Sequence, residues 1–162
     1  QGIETELVHL IGPLAGCKAC FKCKEKKNGR CIQDKDMINQ CIQKMAAADG
    51  IIIGSPTYFA DLTPETKALI DRAGFVAMAN GYMFKRKVGA AVVAVRRAGA
   101  IHVFDSINHL FLISQMIIAG SSYWNIGMGF AEKDVERDEE GLATMRTLGQ
   151  NMGWLLKKIG ND

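Results

Sequence analysis

GIIIGSPTYFADLTPETKALIDRAG, residues 50–74, carries the pattern that decides the fold. Ile51-Ile52-Ile53 is a continuous apolar run bounded by Gly50 and Gly54, which is how a strand buried on both faces of a sheet reads. Thr63-Pro64-Glu65-Thr66 follows. Thr63 is placed to cap a helix and Pro64 occupies the first helical position, where a missing N–H is tolerated. Leu69, Ile70 and Ala73 then recur at helical spacing as an inner face. A buried strand running into a capped helix is half of a parallel α/β unit.

The same alternation extends both ways. Val88–Val95 is a second apolar strand, and it ends at Arg96-Arg97-Ala98-Gly99. Val103–Ile113 is helical by period, Met116–Ala119 reads as a last strand, and Asp138–Ile159 as a long terminal helix striped by Leu142, Met145, Leu148, Met152 and Leu155/Leu156. Toward the N-terminus, Met37, Ile38, Cys41, Ile42 and Met45 mark a helix for which Asp34 or Asp36 could serve as cap. Thr5–Leu10 reads as a short strand from its apolar and β-branched content. The expectation is a β-α-β-α-β-α-β-α order, hence a parallel sheet flanked by helices. Ligands on such sheets bind beyond the carboxyl ends of the strands, which selects the loops 55–62, 96–100 and 120–129.

Composition agrees with one domain in 162 residues: 48% hydrophobic and 23% charged, with only 3 prolines and no internal repeat or linker. A net charge of +3 does not point to nucleic acid. No apolar run reaches the roughly 18 residues that a membrane span needs, because Ser114 and Gln115 interrupt the longest. Leu14-Ala15-Gly16-Cys17 imitates a lipidation box, but Glu4, Glu6 and His9 precede it and no Lys or Arg does. His102 and His109 share a helical face, yet no third residue is spaced to complete a metal site with them. G-x-S-x-G, P-loop and G-x-G-x-x-G patterns are missing, which disfavours hydrolase, NTPase and dinucleotide-fingerprint readings.

Chemistry first shows in CKACFKCKEKKNGRC, residues 17–31. Cys17, Cys20, Cys23 and Cys31 are spaced C-x2-C-x2-C-x7-C, and Cys41 stands apart on the inner stripe of a helix as a core residue. Thiols three residues apart lie too close to bridge one another comfortably, but they can wrap three corners of an iron–sulfur cubane with the fourth ligand a short loop away. Zinc, which more often takes two separated pairs, and unligated thiols made reactive by lysines 18, 22 and 24 are the other readings. Retained thiols point to a reducing, cytoplasmic setting. The charge run from Lys18 to Arg30 reads as a solvated loop or a docking patch.

The loop Ser55-Pro56-Thr57-Tyr58-Phe59-Ala60 alternates small, polar and aromatic residues at a strand's carboxyl end. An aromatic flanked by hydroxyls suits a flat ligand rich in hydrogen-bonding atoms, and equally an ordinary βα loop. Arg96 and Arg97 would place positive charge beside such a ligand. Tyr123 and Trp124 would line the site, a subunit contact or the core.

These segments, with RKVGAAVVAVRRAGA (86–100), GSSYWNIG (120–127) and DEEGLATMRTLGQNMGWLLKK (138–158), resemble the iron–sulfur flavoproteins, which belong to the NADPH-dependent FMN reductase group. The likeness covers essentially the whole chain. It implies a flavodoxin-like doubly wound sheet of order 2-1-3-4-5. It also implies FMN at Ser55, Pro56, Thr57, Tyr58, Phe59, Ala60, Arg96, Arg97, Ala98 and Gly99, with Trp124 beside it. A [4Fe–4S] cluster on Cys17, Cys20, Cys23 and Cys31 follows from it too, as does a homodimer or homotetramer that brings one subunit's cluster near another's flavin. Two departures stand out. The family's Gly/Ser-rich phosphate loop is missing, and Arg96-Arg97 replace the glycine and serine that many relatives carry.

The function so implied is an FMN-dependent oxidoreductase. It would take electrons from NAD(P)H or a reduced ferredoxin-type donor and pass them to a small acceptor such as a quinone or an oxygen species. Neither nucleic acid nor a membrane is an expected partner. The chemistry is centred on the flavin, so no catalytic acid or base is expected. A cluster-free NAD(P)H:FMN or quinone reductase is the alternative, and a non-enzymatic zinc or thiol module a further one. If Thr5–Leu10 is strand 2 and Ile51–Ile53 strand 3, the central strand 1 is missing. The expectation is therefore a single domain over 1–162 that is N-terminally incomplete, lacking about 25–35 upstream residues, one strand plus most of a helix.

Overall fold

The computed structural model describes residues 1–160. Its elements in chain order are α1 (Lys22–Lys26), α2 (Ile38–Ala47), β1 (Gly50–Pro56), α3 (Pro64–Ala79), β2 (Val88–Val95), α4 (Ala100–Ile113), β3 (Ile117–Ile118), β4 (Ile126–Met128), a 3-10 turn at Asp134–Arg137, and α5 (Glu139–Ile159). All strand pairs are parallel. β2 pairs with β1 along one edge, Gly50 facing Val88 through Pro56 facing Ala94, and its other edge is shared by β3 near Val88 and β4 near Val95.

Alternation along β2 builds two layers. Ala91, Val93 and Val95 turn toward α2, α3 and α4, where Ile38, Ile42, Leu69, Val76, Val103, Ile107 and Phe111 complete the larger core. Val88 and Ala90 turn the other way and pack with Ala119, Leu148 and Met152, the last two from α5. The sheet is thus covered on both faces at β2, as its unbroken apolar sequence requires.

β1 departs from that rule. Ile51, Ile53 and Ser55 are buried, but Ile52 is 55% exposed, and Gly54 and Pro56 on its side are exposed too. The two-face burial expected of Ile51–Ile53 is corrected accordingly: α5 reaches Gly50 through Leu156 but does not extend over Ile52.

The strand expected at Thr5–Leu10 is also corrected. The segment has no strand structure, and Leu7 is 96% exposed. Strand content alone does not hold a strand without a neighbouring ladder, and none is available to it among the described residues. It runs instead beside α2, where Glu6 pairs with Lys44 and the Ile11 N–H meets the Met37 sulfur. The described strands lie in the order β1-β2-β3, with β4 also paired to β2. The last strand differs from the sequence reading as well. Met116–Ala119 contributes only Ile117–Ile118, and the ladder resumes at Ile126–Met128 after a loop anchored by buried Asn125, whose side chain donates to Ala91 O at 2.9 Å.

The helices follow their signals. Thr63 Oγ1 accepts from Thr66 N at 3.3 Å and Pro64 opens α3. Asp138 caps α5 by accepting from Gly141 N. Asp36 accepts from Ile38 N at 3.2 Å at the start of α2. Among the described residues, no helix is long and apolar enough to cross a membrane.

Candidate functional site

Two sites lie along α3, one at its N-terminal end and one beside its second half. The first is at the carboxyl ends of β1 and β2. Tyr58 and Asp61 exchange N–H···O bonds at 2.8 and 3.0 Å, and both residues between them are left-handed, Phe59 at φ 48° and Ala60 at φ 64°. Two positive φ values inside a four-residue turn give the type I′ shape, here without the glycine or asparagine that usually relieves it. The Phe59 ring in this turn is fully exposed and Tyr58 largely so.

Gly99, at φ 87°, brings the second loop against this turn, since a Cβ there would stand 2.8 Å from the Ala60 Cα. Thr57 ties the first loop to β2 through its N–H and Oγ1, both to Ala94 O, at 2.9 and 3.2 Å. Among the described residues, the N–H groups of Phe59, Ala60, Ala98 and Gly99 donate to no protein acceptor. Gly99 is also the N-cap of α4 and supplies no side-chain cap, so the helix presents unpaired N–H groups and the positive end of its dipole here. A flat ligand with acceptor atoms on its edge fits these donors.

Of the residues expected at this ligand, Pro56, Thr57, Tyr58, Phe59, Ala60, Arg96, Arg97, Ala98 and Gly99 are gathered in the two adjoining loops. Ser55 is behind them. It is buried, its hydroxyl donating to Pro56 O and accepting from Thr63 N at 3.1 Å, so it braces the loop from within. Trp124 precedes β4, close to the level of Val93, and packs edge-on against Tyr123 at 4.5 Å. The aromatic at the carboxyl end of that strand is instead Phe130, exposed, with the Arg96 guanidinium 4.2 Å above its ring. Sequence reading missed Phe130, because its place depended on the unforeseen strand β4.

At the other site, Cys17, Cys20, Cys23 and Cys31 line one cleft together with Phe21, Arg72 and Phe75. The loop folds back through left-handed Ala19, Phe21 and Lys27, the last two flanking α1, which turns Cys23 inward. Burial pushes the Cys23 thiol up, as it does that of Cys41, which lies in the core on α2. Cys17 and Cys20 are exposed, and among the described residues no three His, Cys, Asp or Glu side chains converge on a single metal ion. Thiolates around one zinc stand about 3.8 Å apart, given a Zn–S bond of about 2.3 Å, whereas the four irons of a cubane hold their ligands farther apart. Four cysteine sulfurs lining one cleft are a donor set that an iron–sulfur cluster takes.

Polar side chains hold this loop. Asn39 accepts from Cys31 N at 2.8 Å and donates to Cys31 O at 2.9 Å and Gln33 O at 3.0 Å. Gln43 donates to Gly29 O, and Asn80 accepts from Gly29 N, both at 2.8 Å. Arg72, 1% exposed, donates to Ala15 O at 3.0 Å, to Gln33 O and to the Asp36 carboxylate. Burial disfavours its charged form, but the hydrogen-bonded Asp36 carboxylate beside it outweighs that and keeps it cationic. Burial likewise disfavours charge on Asp36, yet Arg72 and the N–H groups of Ala15 and Ile38 hold its carboxyl below the usual range. Arg72 and Asn39 had a signal in the sequence. Each interrupts an apolar helical stripe, Arg72 among Leu69, Ala73 and Val76, and Asn39 between Ile38 and Ile42.

The chain is similar to known proteins. Residues 1–131 match the family model of the NADPH-dependent FMN reductases. An iron–sulfur flavoprotein of Methanocaldococcus jannaschii is 37% identical, with 98% of this chain and 84% of that protein covered. Another, from Methanosarcina thermophila, is 33% identical over 98% of this chain and 82% of its own length. A WrbA-like flavodoxin of Agrobacterium tumefaciens superposes with a TM-score of 0.50 at 16% identity, over 67% of this chain and 71% of that one, and so shows the fold. The chain therefore has a flavodoxin-like α/β fold and belongs to the NADPH-dependent FMN reductase family, among its iron–sulfur flavoproteins, as an FMN-dependent oxidoreductase.

Proposed function

We propose that this oxidoreductase carries two redox groups, FMN against the 56–60 and 96–99 loops and a [4Fe–4S] cluster on Cys17, Cys20, Cys23 and Cys31, and that it hands electrons to a small acceptor. The observation that carries the reading is the convergence of all four cysteines of the C-x2-C-x2-C-x7-C motif on one cleft. When bound, FMN supplies one- or two-electron transfer and the cluster one-electron transfer.

The chain's own residues bind and orient. The free N–H groups of Phe59, Ala60, Ala98 and Gly99 meet acceptor atoms of the ring, and the α4 N-terminus with Arg96 and Arg97 favours added negative charge there. Tyr58 and Phe59 keep water from the ring. Helix α3 starts at this loop, and Arg72 lies eight residues along it, about 12 Å at 1.5 Å per residue, so one rigid element ties the two sites together. Electrons come from NAD(P)H or a reduced ferredoxin-type donor, and a quinone or oxygen species is the class of acceptor. Exposed Phe59 and Phe130 mark the surface that a second copy covers in a homodimer or homotetramer.

Anaerobic purification followed by flavin, iron and acid-labile sulfide analysis tests the reading. Four irons per chain with one FMN support it. Full FMN without iron gives the plain flavin reductase instead, and zinc with neither flavin nor iron leaves the non-enzymatic module.

A further inference from the structure

Among the described residues, nothing uses one hydrogen-bonding atom of Arg72. Its two terminal nitrogens are occupied by Ala15 O, Gln33 O and Asp36, while Nε–H, fully buried, has no partner there. The residue also lines the cysteine cleft beside Cys23 and Cys31. A buried donor left empty is costly, so it stays in a fold only where something compensates. Asp36 is only 7% exposed, and it receives the Ala15 and Ile38 N–H groups besides Arg72. The pair is neutral as a whole, but it is oriented, with its positive end at the cleft and its negative end behind, facing α2.

We propose that Arg72 is the charge-setting residue of the cysteine cleft, donating its Nε–H to a sulfur and turning the positive end of the Arg72–Asp36 pair onto the group that the four cysteines hold. The assignment rests on the cluster reading above. Four thiolates bring more negative charge than the exposed lysines of the loop can neutralise through water, whereas a desolvated guanidinium acts at close range. Hydrogen bonds to the sulfurs and net charge are among the factors that set a cluster's potential, and both raise it here.

Removing Arg72 alone would strand a buried carboxylate, so the informative variant is Arg72→Gln/Asp36→Asn, which removes both charges and keeps polar groups in place. Its cluster is expected to be harder to reduce, with at least a tenfold lower ratio of reduced to oxidised cluster at the wild-type midpoint, equivalent to about 59 mV for one electron. Asp36→Asn alone is expected to shift the midpoint the opposite way, and Arg72→Lys to stay closest to wild type. Opposite signs separate a charge effect from loosened packing, which would move both variants alike or only lower their iron content. The proposal is overturned if the double variant holds iron at the wild-type midpoint. It is overturned too if Arg72→Lys loses iron as completely as the double variant while both remain folded by circular dichroism. Should the double variant not fold, Asp36→Asn decides: a raised midpoint supports the assignment and an unchanged one ends it. Iron-free wild-type protein from an anaerobic preparation would instead remove the cluster reading itself, before any variant is compared.

Discussion

Gly99 and Ala60 meet backbone to backbone: a Cβ on Gly99 would lie 2.8 Å from the Ala60 Cα and 2.9 Å from its Cβ. This contact joins the loops after β1 and β2 into one surface. It exists only because residue 99 has no side chain and adopts φ 87°. Gly99→Ala is therefore expected to cost about 1–3 kcal/mol through left-handed strain and steric push. Because the two loops part, FMN affinity should fall by more than stability alone accounts for. Flavin fluorescence titration beside thermal unfolding checks this, and unchanged affinity in a destabilised protein would separate the contact from the flavin site.

Arg97→Ala and Tyr58→Ala should each weaken FMN binding while leaving the fold intact, since both side chains are exposed and make no hydrogen bond among the described residues. Surface changes of this kind move stability by about 0.5 kcal/mol or less. Equilibrium dialysis of FMN against both variants is the measurement; wild-type affinity in both would place the flavin elsewhere.

Cys20→Ala should lose iron, while Cys41→Ala should keep it, because Cys41 is packed in the core away from the cleft. The two variants, purified anaerobically side by side, are compared by iron content and visible absorbance. Retention with Cys20→Ala and loss with Cys41→Ala would reverse the ligand assignment.

Asn39→Ala removes three hydrogen bonds to the Cys31–Gln33 backbone in one step. Unsatisfied buried groups cost about 1–3 kcal/mol. The variant should fold less stably and hold iron less tightly, although no sulfur has been touched. A chelator challenge followed by absorbance reports the second effect independently of the first.

Asp138 gives a pH-dependent prediction. Gly141 N and Met128 N donate to its carboxylate and hold its pKa below the ordinary value, more than burial raises it. A depressed folded pKa contributes stability above the unfolded value, near 3.9, that is lost as pH falls through the folded one. Asp138→Ala should thus cost about 1 kcal/mol near neutrality. Denaturant midpoints of the two proteins should converge at acid pH; a difference that persists there would mean that the cap acts by shape and not by charge.

The sheet and its helices were legible because their signals are local. Thr63-Pro64 at the start of α3, the apolar run of β2 and the stripe of α5 each need only neighbours in sequence, and each element forms where the pattern puts it. Thr5–Leu10 has as much strand character as Ile117–Ile118, yet only the latter finds a ladder, beside Val88 and Gly89. A strand is a property of two segments, and its partner is not written in its own residues.

By itself the sequence determined the parallel α/β class, the two loops at the strand ends and the separation of Cys41 from the other four cysteines, all of which follow from periodicity and spacing. Only the tertiary structure decided that Ile52 stays uncovered, that Phe130 in place of Trp124 stands at a strand's carboxyl end, and that Arg72 comes from 41 positions beyond Cys31 to line its cleft. The reason is physical: burial, edge pairing and desolvated charge depend on which segments meet, and that is fixed only when the whole chain closes around its core.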